Sequence, residues 1–417
     1  MTGDSKSTHP RPRSLALFER ACAVIPGGIY GHAAPGLVSA DAAPYYACRA
    51  EGCRYRDVDG NEYIDWMCGF GPIVLGYAHP EVEEAAEQQR RKGDCFNHPG
   101  PVMVDLAEKL TDLVDFAEWA VFGKNGSDMT NWAIQVAREH TRRRKILIVE
   151  GAYHGMGPWC TPGTGGLIAE DRQHVHTFRW NEPETLNDLL RRHRNDAAAV
   201  VLTPFHHPLF HDSQLPTPEF LREVESQCRK HGIVLILDDI RAGFRLHVGG
   251  SHRHFGFEPD LSCFSKAMGN GYAISAAVGN AALRKAATRV FLSGSFWNTA
   301  VAMAAALATI GVIERENTPL QLARTGQALC DGLRERAEKH GLQITLSGPP
   351  AMPFMTFSNE SNLHRSQRFV TECLKRGVFL HPHHNWFLCS AHTPADVDRT
   401  LEVADLAFAE VKEAFGS

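Results

Sequence analysis

Ile233-Val234-Leu235-Ile236-Leu237 is an unbroken aliphatic run that ends in two carboxylates, Asp238 and Asp239. A run without alternation has no polar face to offer water, so as a strand it must be covered on both sides. Further apolar runs recur at residues 120–122, 146–149, 198–202 and 274–278. Between and after them lie stretches with apolar residues at i, i+3 and i+4, at residues 102–113, 129–140, 218–231 and 300–314. This alternation predicts an α/β fold, a mainly parallel sheet with helices on both faces.

The two ends of the chain read differently. Residues 52–65 form two strand-like runs around Asp59-Gly60-Asn61, a hairpin signal. Residues 320–340, 366–376 and 394–415 read as helices separated by short strands. The expected organisation is an N-terminal arm and part of a smaller α+β domain at 1–65, a large domain at 66–298, and the rest of the smaller domain at 299–417. A chain of 417 residues has room for this division.

Composition narrows the function classes. A net charge of −5 gives no footing for a nucleic-acid partner. No apolar run approaches the ~20 residues that a membrane helix needs. Residues 1–13 are polar, with no apolar stretch behind their basic residues, and read as a loose arm rather than a signal peptide. Eleven cysteines, none in a CxxC pair, read as reduced thiols in a cytoplasm. The histidine clusters His206-His207-Pro208-Leu209-Phe210-His211 and His381-Pro382-His383-His384 lack a helical HxxxH spacing, so no metal is expected.

Chemistry enters with Lys266, in Phe264-Ser265-Lys266-Ala267-Met268-Gly269-Asn270-Gly271-Tyr272, 28 residues after Asp238. A strand delivering a carboxylate and a lysine in a small-residue turn meet the needs of pyridoxal 5′-phosphate (PLP). The amine forms a Schiff base with the cofactor aldehyde, and the carboxylate keeps the pyridine nitrogen protonated. Gly126 and Ser127, in Phe122-Gly123-Lys124-Asn125-Gly126-Ser127-Asp128, would open a helix whose free N–H groups suit a phosphate; an ordinary N-cap reads equally well there. Tyr153, in Gly151-Ala152-Tyr153-His154-Gly155, follows an apolar run and can stack on a planar ring, or pack at a core edge. Ser295, in Gly294-Ser295-Phe296-Trp297-Asn298, offers a second hydroxyl for phosphate, or a helix cap.

With these residues in place, the chain resembles class III (fold type I) PLP-dependent aminotransferases along nearly its whole length, in particular the branch that includes glutamate-1-semialdehyde 2,1-aminomutase. The order of motifs is kept: Ile25-Pro26-Gly27-Gly28, Asp57-Val58-Asp59-Gly60, Asn125-Gly126-Ser127-Asp128, Tyr153-His154-Gly155, Leu237-Asp238-Asp239-Ile240, Gly243-Phe244-Arg245 and Ser265-Lys266-Ala267. The resemblance implies that Lys266 carries PLP and shuttles protons, and that Asp238 pairs with the pyridine nitrogen. It implies that Ile240 and Tyr153 sandwich the ring, that His154 belongs to the cofactor site, and that Gly126 and Ser127 hold the phosphate. Ser295 stands where the family has a threonine that reaches the phosphate of a partner subunit, which implies a homodimer with active sites at the interface.

Four positions depart from the family pattern. Asp239 replaces a glutamate. Ala242, preceded by Arg241, replaces a threonine. Thr203-Pro204 replaces Glu-Pro, and Tyr30-Gly31-His32 stands where the aminomutase has an arginine for the substrate carboxylate. Losing a bidentate guanidinium removes carboxylate recognition at that place. His32, Arg241 and residues 205–211 are therefore the candidates for substrate contact. The implied activity is transfer of an amino group from an amine or amino-acid donor to a ketone or aldehyde acceptor by a ping-pong cycle. The alternative is an aminomutase-like isomerase that moves the amine within one molecule. A nicotinamide oxidoreductase would need more than Gly269-Asn270-Gly271, which lacks the third glycine at the required spacing, and a catalytically inert scaffold would need neither Lys266 nor Asp238.

Overall fold

The computed structural model describes residues 10–31, 34–39, 41–208, 210–358, 360 and 362–416. The chain divides into two compact units, one of residues 1–79, 209–213 and 321–417, the other of residues 80–208 and 214–320. The first unit contains the hairpin strands β1 (Ala47–Glu51), β2 (Arg54–Asp57) and β3 (Glu62–Asp65). The second contains seven strands: β4 (Trp119–Gly123), β5 (Lys145–Val149), β6 (Val175–Phe178), β7 (Ala197–Leu202), β8 (Val234–Asp238), β9 (Leu261–Phe264) and β10 (Ser275–Gly279). The chain then returns to the first unit with β11 (Ile344–Ser347), β12 (Phe354–Phe357) and β13 (Val378–Phe379), the last pairing parallel to β3.

The seven-stranded sheet has the order β4-β10-β9-β8-β7-β5-β6. Only β10 runs against its neighbours, β9 and β4; the contacts β9–β8, β8–β7, β7–β5 and β5–β6 are parallel. The pleat sorts each central strand between two cores. Ile146, Ile148, Val234 and Ile236 face one, with Trp132, Ala133 and Val136 of the helix Gly126–Thr141. Leu147, Val149, Leu235 and Leu237 face the other, with Leu186 and Leu189 of Pro183–His193 and Phe220 and Val224 of Pro218–His231. The absence of alternation in residues 233–237 is thus the signature of a strand buried on both sides, and the α/β architecture expected from the sequence is the one found.

Local signals fix the helices. Thr217 accepts a hydrogen bond from the Phe220 amide at 3.2 Å, a proline follows it, and Gly232 closes the helix in the left-handed region at φ +57°. Thr393 and Asp396 form a reciprocal capping box at the start of Pro394–Phe415.

The units divide at 79/80 and 320/321, where the sequence pattern places the divisions at 65/66 and 298/299. Residues 66–79 are tied to the first unit: Trp66 Nε1 donates to Thr400 Oγ1 at 2.9 Å, the Phe387 amide to Trp66 at 2.7 Å, and the Ser390 amide to Val74 at 2.8 Å. The helix Ala300–Arg315 packs on Pro80–Lys92 and Val102–Leu113 and so belongs to the second unit. In the first unit Cys68, Cys389 and His392 converge in the buried interior, a grouping that sequence spacing does not reveal. All eleven cysteines are free thiols. Among the described residues no helix is long and apolar enough to cross a membrane.

Two helical glycines test the packing from opposite sides. A Cβ on Gly326 would sit 1.8 Å from the Pro350 carbonyl oxygen, and one on Gly311 would meet nothing within 4 Å. Gly326→Ala is expected to destabilise by about 1–3 kcal/mol through forced backbone movement, and Gly311→Ala to stabilise by roughly 0.5–1 kcal/mol. Denaturant unfolding of both variants checks this; equal effects would contradict the packing described.

Candidate active site

Asp238, Ile240, Lys266, Gly126, Ser127, Tyr153 and His154 lie in the second unit, at or past the C-terminal ends of β8, β9, β4 and β5, the edge at which ligands bind in such sheets. β8 ends in Asp238, which is 5% exposed. Its Oδ1 accepts the Ile240 amide at 3.3 Å, and its Oδ2 accepts His154 Nδ1 at 2.8 Å; the tautomer follows from the partner, because a carboxylate only accepts. His154 is itself held, its carbonyl accepting from Thr130 Oγ1 at 2.9 Å and its ring stacking with Trp159 at 5.8 Å between centroids. Its Nε2 has no hydrogen-bond partner.

Asp239 serves a different purpose. Its carboxylate accepts from the amide and hydroxyl of Ser251 at 2.7 and 2.5 Å, holding the first turn of Ser251–Phe255. Burial raises its pKa to about 7 against those hydrogen bonds. The shorter acid at this family departure is therefore a buried anchor for a helix start.

Lys266 follows β9 after one residue. Ser265 Oγ donates to the Ile274 carbonyl at 2.8 Å, and the chain then enters one tight turn, Lys266–Gly269. Lys266 has φ +46°, a left-handed conformation that costs a side-chain-bearing residue about 1–2 kcal/mol. Burial pushes the Lys266 amine down to about 7; the Arg241 and Arg245 guanidiniums add to the fall and Asp238 opposes it. A large share of this amine is unprotonated at neutral pH and available as a nucleophile or base. Arg245 is completely buried. Its motif, Gly243-Phe244-Arg245, is visible in the sequence, but a charge placed inside the protein is not a property of local pattern.

The glycine-rich turn after β4 faces the same strand ends. Asp128 Oδ2 accepts the amides of Asn125 and Lys124 at 2.8 and 3.0 Å, and the helix starts at Gly126. The amides of Gly126 and Ser127 thus occupy the first helical turn, where no intrahelical acceptor exists. Ser127 Oγ accepts the Met156 amide at 3.1 Å. A Cβ on Gly126 would lie 2.4 Å from Ile240 Cδ1, and one on Gly155, at φ +108°, would lie 2.3 Å from Ser127 Oγ. Gly126, Ser127, Gly155 and Ile240 are therefore brought together from the ends of β4, β5 and β8, with glycine required at both approaches. Lys124, which the sequence reading treats only as part of this turn, donates to Ala273 O at 3.0 Å and to Thr299 Oγ1.

The other candidates are placed differently. Tyr153 is 38% exposed and shares a cleft with Ala152, Thr203, Pro204, Phe205, His206, His207 and Arg241. Ser295 is exposed, and its carbonyl accepts a weak bond from Cys95 Sγ; among the described residues nothing links it to Gly126 or Ser127. Residues 205–208 fall in the second unit and 210–211 in the first. His32 and Leu209 lie outside the described residues.

Known proteins share this arrangement. Residues 37–394 match the family described as aminotransferase class-III. The chain is 45% identical to the aminopentol aminotransferase of Sphingopyxis macrogoltabida, over 97% of this chain and 96% of that one. It is 32% identical to the glutamate-1-semialdehyde 2,1-aminomutase of Syntrophobacter fumaroxidans, over 97% and 99%. The solved FumI protein of Sphingopyxis sp. MTA144, in its PLP internal aldimine form, superposes with a TM-score of 0.95 at 44% identity, covering 97% of this chain and 98% of that one. A family match spanning most of the chain, and relatives that align end to end, establish that this chain belongs to the class-III aminotransferases.

Proposed function

We propose that the protein transfers an amino group from an amine or amino-acid donor to a ketone or aldehyde acceptor, with PLP held by Lys266. The observation that carries this reading is an amine with a pKa near 7, set within electrostatic reach of a buried carboxylate that His154 fixes at 2.8 Å. The residues fit PLP. Asp238 is a buried acceptor for a protonated pyridine nitrogen. Gly126 and Ser127 present free helix-end amides for a phosphate. Ile240, pressed against Gly126, offers an apolar face to a ring. PLP, when bound, supplies an aldehyde that condenses with amines and a ring that withdraws electrons from the neighbouring carbon.

The chain's own groups do the rest. Lys266 Nζ would hold the cofactor, and the same amine, when free, would take up and give back the proton that moves during transfer. A base used in both directions works best with a pKa near the working pH, and burial beside Arg241 and Arg245 provides that. Asp238 would face the ring nitrogen, and His154, held by Trp159 and Thr130, keeps its carboxylate in place. The relative named as an aminotransferase is more similar to this chain than the aminomutase is, and supports intermolecular transfer.

We extend the proposal to a homodimer. Met156, Phe291 and Phe296 are 79%, 88% and 65% exposed, and the two phenylalanines flank Ser295. Large apolar side chains left to water near a site support an interface there. The eleven free thiols support a reducing, cytoplasmic setting.

Three outcomes are expected. The PLP-loaded protein, mixed with single amines and no acceptor, should lose its visible absorbance band and release one carbonyl product per site, whereas Lys266→Ala should slow this at least about 10²–10⁴-fold; an intact band with every donor would favour the intramolecular isomerase. In the cofactor-free protein, Lys266 carries a folded-state pKa near 7 against 10.5 for the ordinary amine. Below pH 7 it is charged in both folded and unfolded chains, so the full burial cost is present; between pH 7 and 10.5 the unfolded chain holds more protons, so stability climbs with pH. Lys266→Met should abolish that climb in unfolding midpoints, and superimposable pH profiles for the two proteins would refute the lowered pKa. Light scattering should give about twice the 46.1 kDa chain mass, and a monomer would remove the shared-site proposal.

A further inference from the structure

We infer that Arg241 and His206 form an anion subsite beside Lys266, which takes the carboxylate of an amino-acid or 2-oxo-acid co-substrate. The inference rests on the aminotransferase reading above and specifies one of its two substrates.

Arg241 leaves β8 three residues after Asp238 and is partly buried. It makes no hydrogen bond or ion pair with any described residue, and Asp238, the carboxylate it feels most, does not come within ion-pair distance. Burial lowers its pKa only to about 10, so the guanidinium remains charged. His206 approaches from the end of β7. Backbone hydrogen bonds with Gln214, at 2.9 and 2.7 Å, fix its position, and its ring lies 5.7 Å from that of Trp180. It is buried, and its Nδ1 has no partner. Burial, with Arg241 and His154 nearby, holds its pKa down at about 4, so it is a neutral imidazole that donates one hydrogen bond.

Both groups line one narrow cleft with Tyr153, Thr203 and Pro204. No acidic side chain lines that cleft, and the Thr203 hydroxyl is spent on the Phe205 carbonyl at 2.9 Å. A partly buried guanidinium that no carboxylate touches directly gains from an anion that does. A planar carboxylate matches a guanidinium edge and one further donor and carries the single charge that balances it. The cleft, at about 10 Å³, has room for little more than one water, so its lining side chains must part as the carboxylate seats. Arg241 also acts on Lys266 directly through its field. An anion seated on Arg241 therefore lies near the reacting amine, as the carboxylate of an amino acid or 2-oxo acid must.

The test uses the PLP-loaded enzyme, with Arg241→Gln and Arg241→Lys as variants. Pyruvate and propanal serve as acceptors that differ in having the carboxylate, and calorimetric titration with acetate reads binding apart from turnover. Arg241→Gln is expected to raise KM for pyruvate and weaken acetate roughly 10- to 100-fold, the loss of a charge-assisted hydrogen bond. Because the Arg241 charge also tunes Lys266, kcat should change alike with both acceptors; the variant's KM for propanal should stay within about threefold, so the KM ratio of pyruvate to propanal carries the readout, and Arg241→Lys should recover part of the acetate affinity. An equal rise in KM for both acceptors, or a loss confined to kcat, would overturn the inference and leave Arg241 only to supporting Lys266. Unchanged pyruvate and acetate behaviour would overturn it too, leaving the cleft to solvent. Failure of wild-type enzyme to transfer an amine to either acceptor, with acetate still bound through Arg241, would instead reject the aminotransferase reading alone.

Discussion

The burial of one carboxylate organises this site. β8 is aliphatic up to its last residue because it lies in the middle of a sheet covered on both faces. Ending such a strand in aspartate puts a charge where water is scarce, a placement that holds only if the charge is paired. His154 supplies the pair, and it can do so because Trp159 and Thr130 leave it no freedom. Asp239, one residue on, shows what the same backbone does with an acid that faces inward instead: burial lifts its pKa to about 7 and Ser251 occupies both of its oxygens.

Lys266 is the electrostatic counterpart of Asp238. Burial, helped by two guanidiniums, drives its proton off, while Asp238 holds it on. The balance near pH 7 depends on all four charges being fixed, and they are fixed by the ends of β8 and β9, which are hydrogen-bonded neighbours. The left-handed backbone at Lys266 fits the same logic. A strained turn persists only where its surroundings over-determine it, and here β9 on one side and the Ser265 bond to Ile274 on the other leave the chain no relaxed path.

How much of this the sequence carries depends on the range of the interaction. Strands β5, β7, β8 and β10 announce themselves as aliphatic runs because both their faces are buried. β6, Val175-His176-Thr177-Phe178, and β9, Leu261-Ser262-Cys263-Phe264, escape that reading because polar residues break the run. The helix Pro80–Lys92 escapes it because it buries only Val82 and Ala86. Lys266, Asp238 and the Gly126 turn are legible through their order along the chain. The His154–Asp238 bond joins residues 84 positions apart, and no local pattern encodes it. The same holds for the division into units: the tie between Trp66 and Thr400 crosses 334 positions, so the sequence places the boundary where the local pattern changes and the structure places it where the packing changes.

Long-range proximity also gives meaning to two departures from the family pattern that look unrelated in the sequence. Thr203 stands where a glutamate is usual, and Arg241 immediately precedes the position of a usual threonine. In the structure both line one cleft. A glutamate at position 203 would place a carboxylate in that cleft and pair with the guanidinium, closing it to any other anion. With threonine there, and its hydroxyl turned to the Phe205 carbonyl, Arg241 has no acidic side chain beside it in the cleft. Removing the acid and adding the base together leave a cleft lined by a guanidinium and no acidic side chain, which is what a site for a small anion requires.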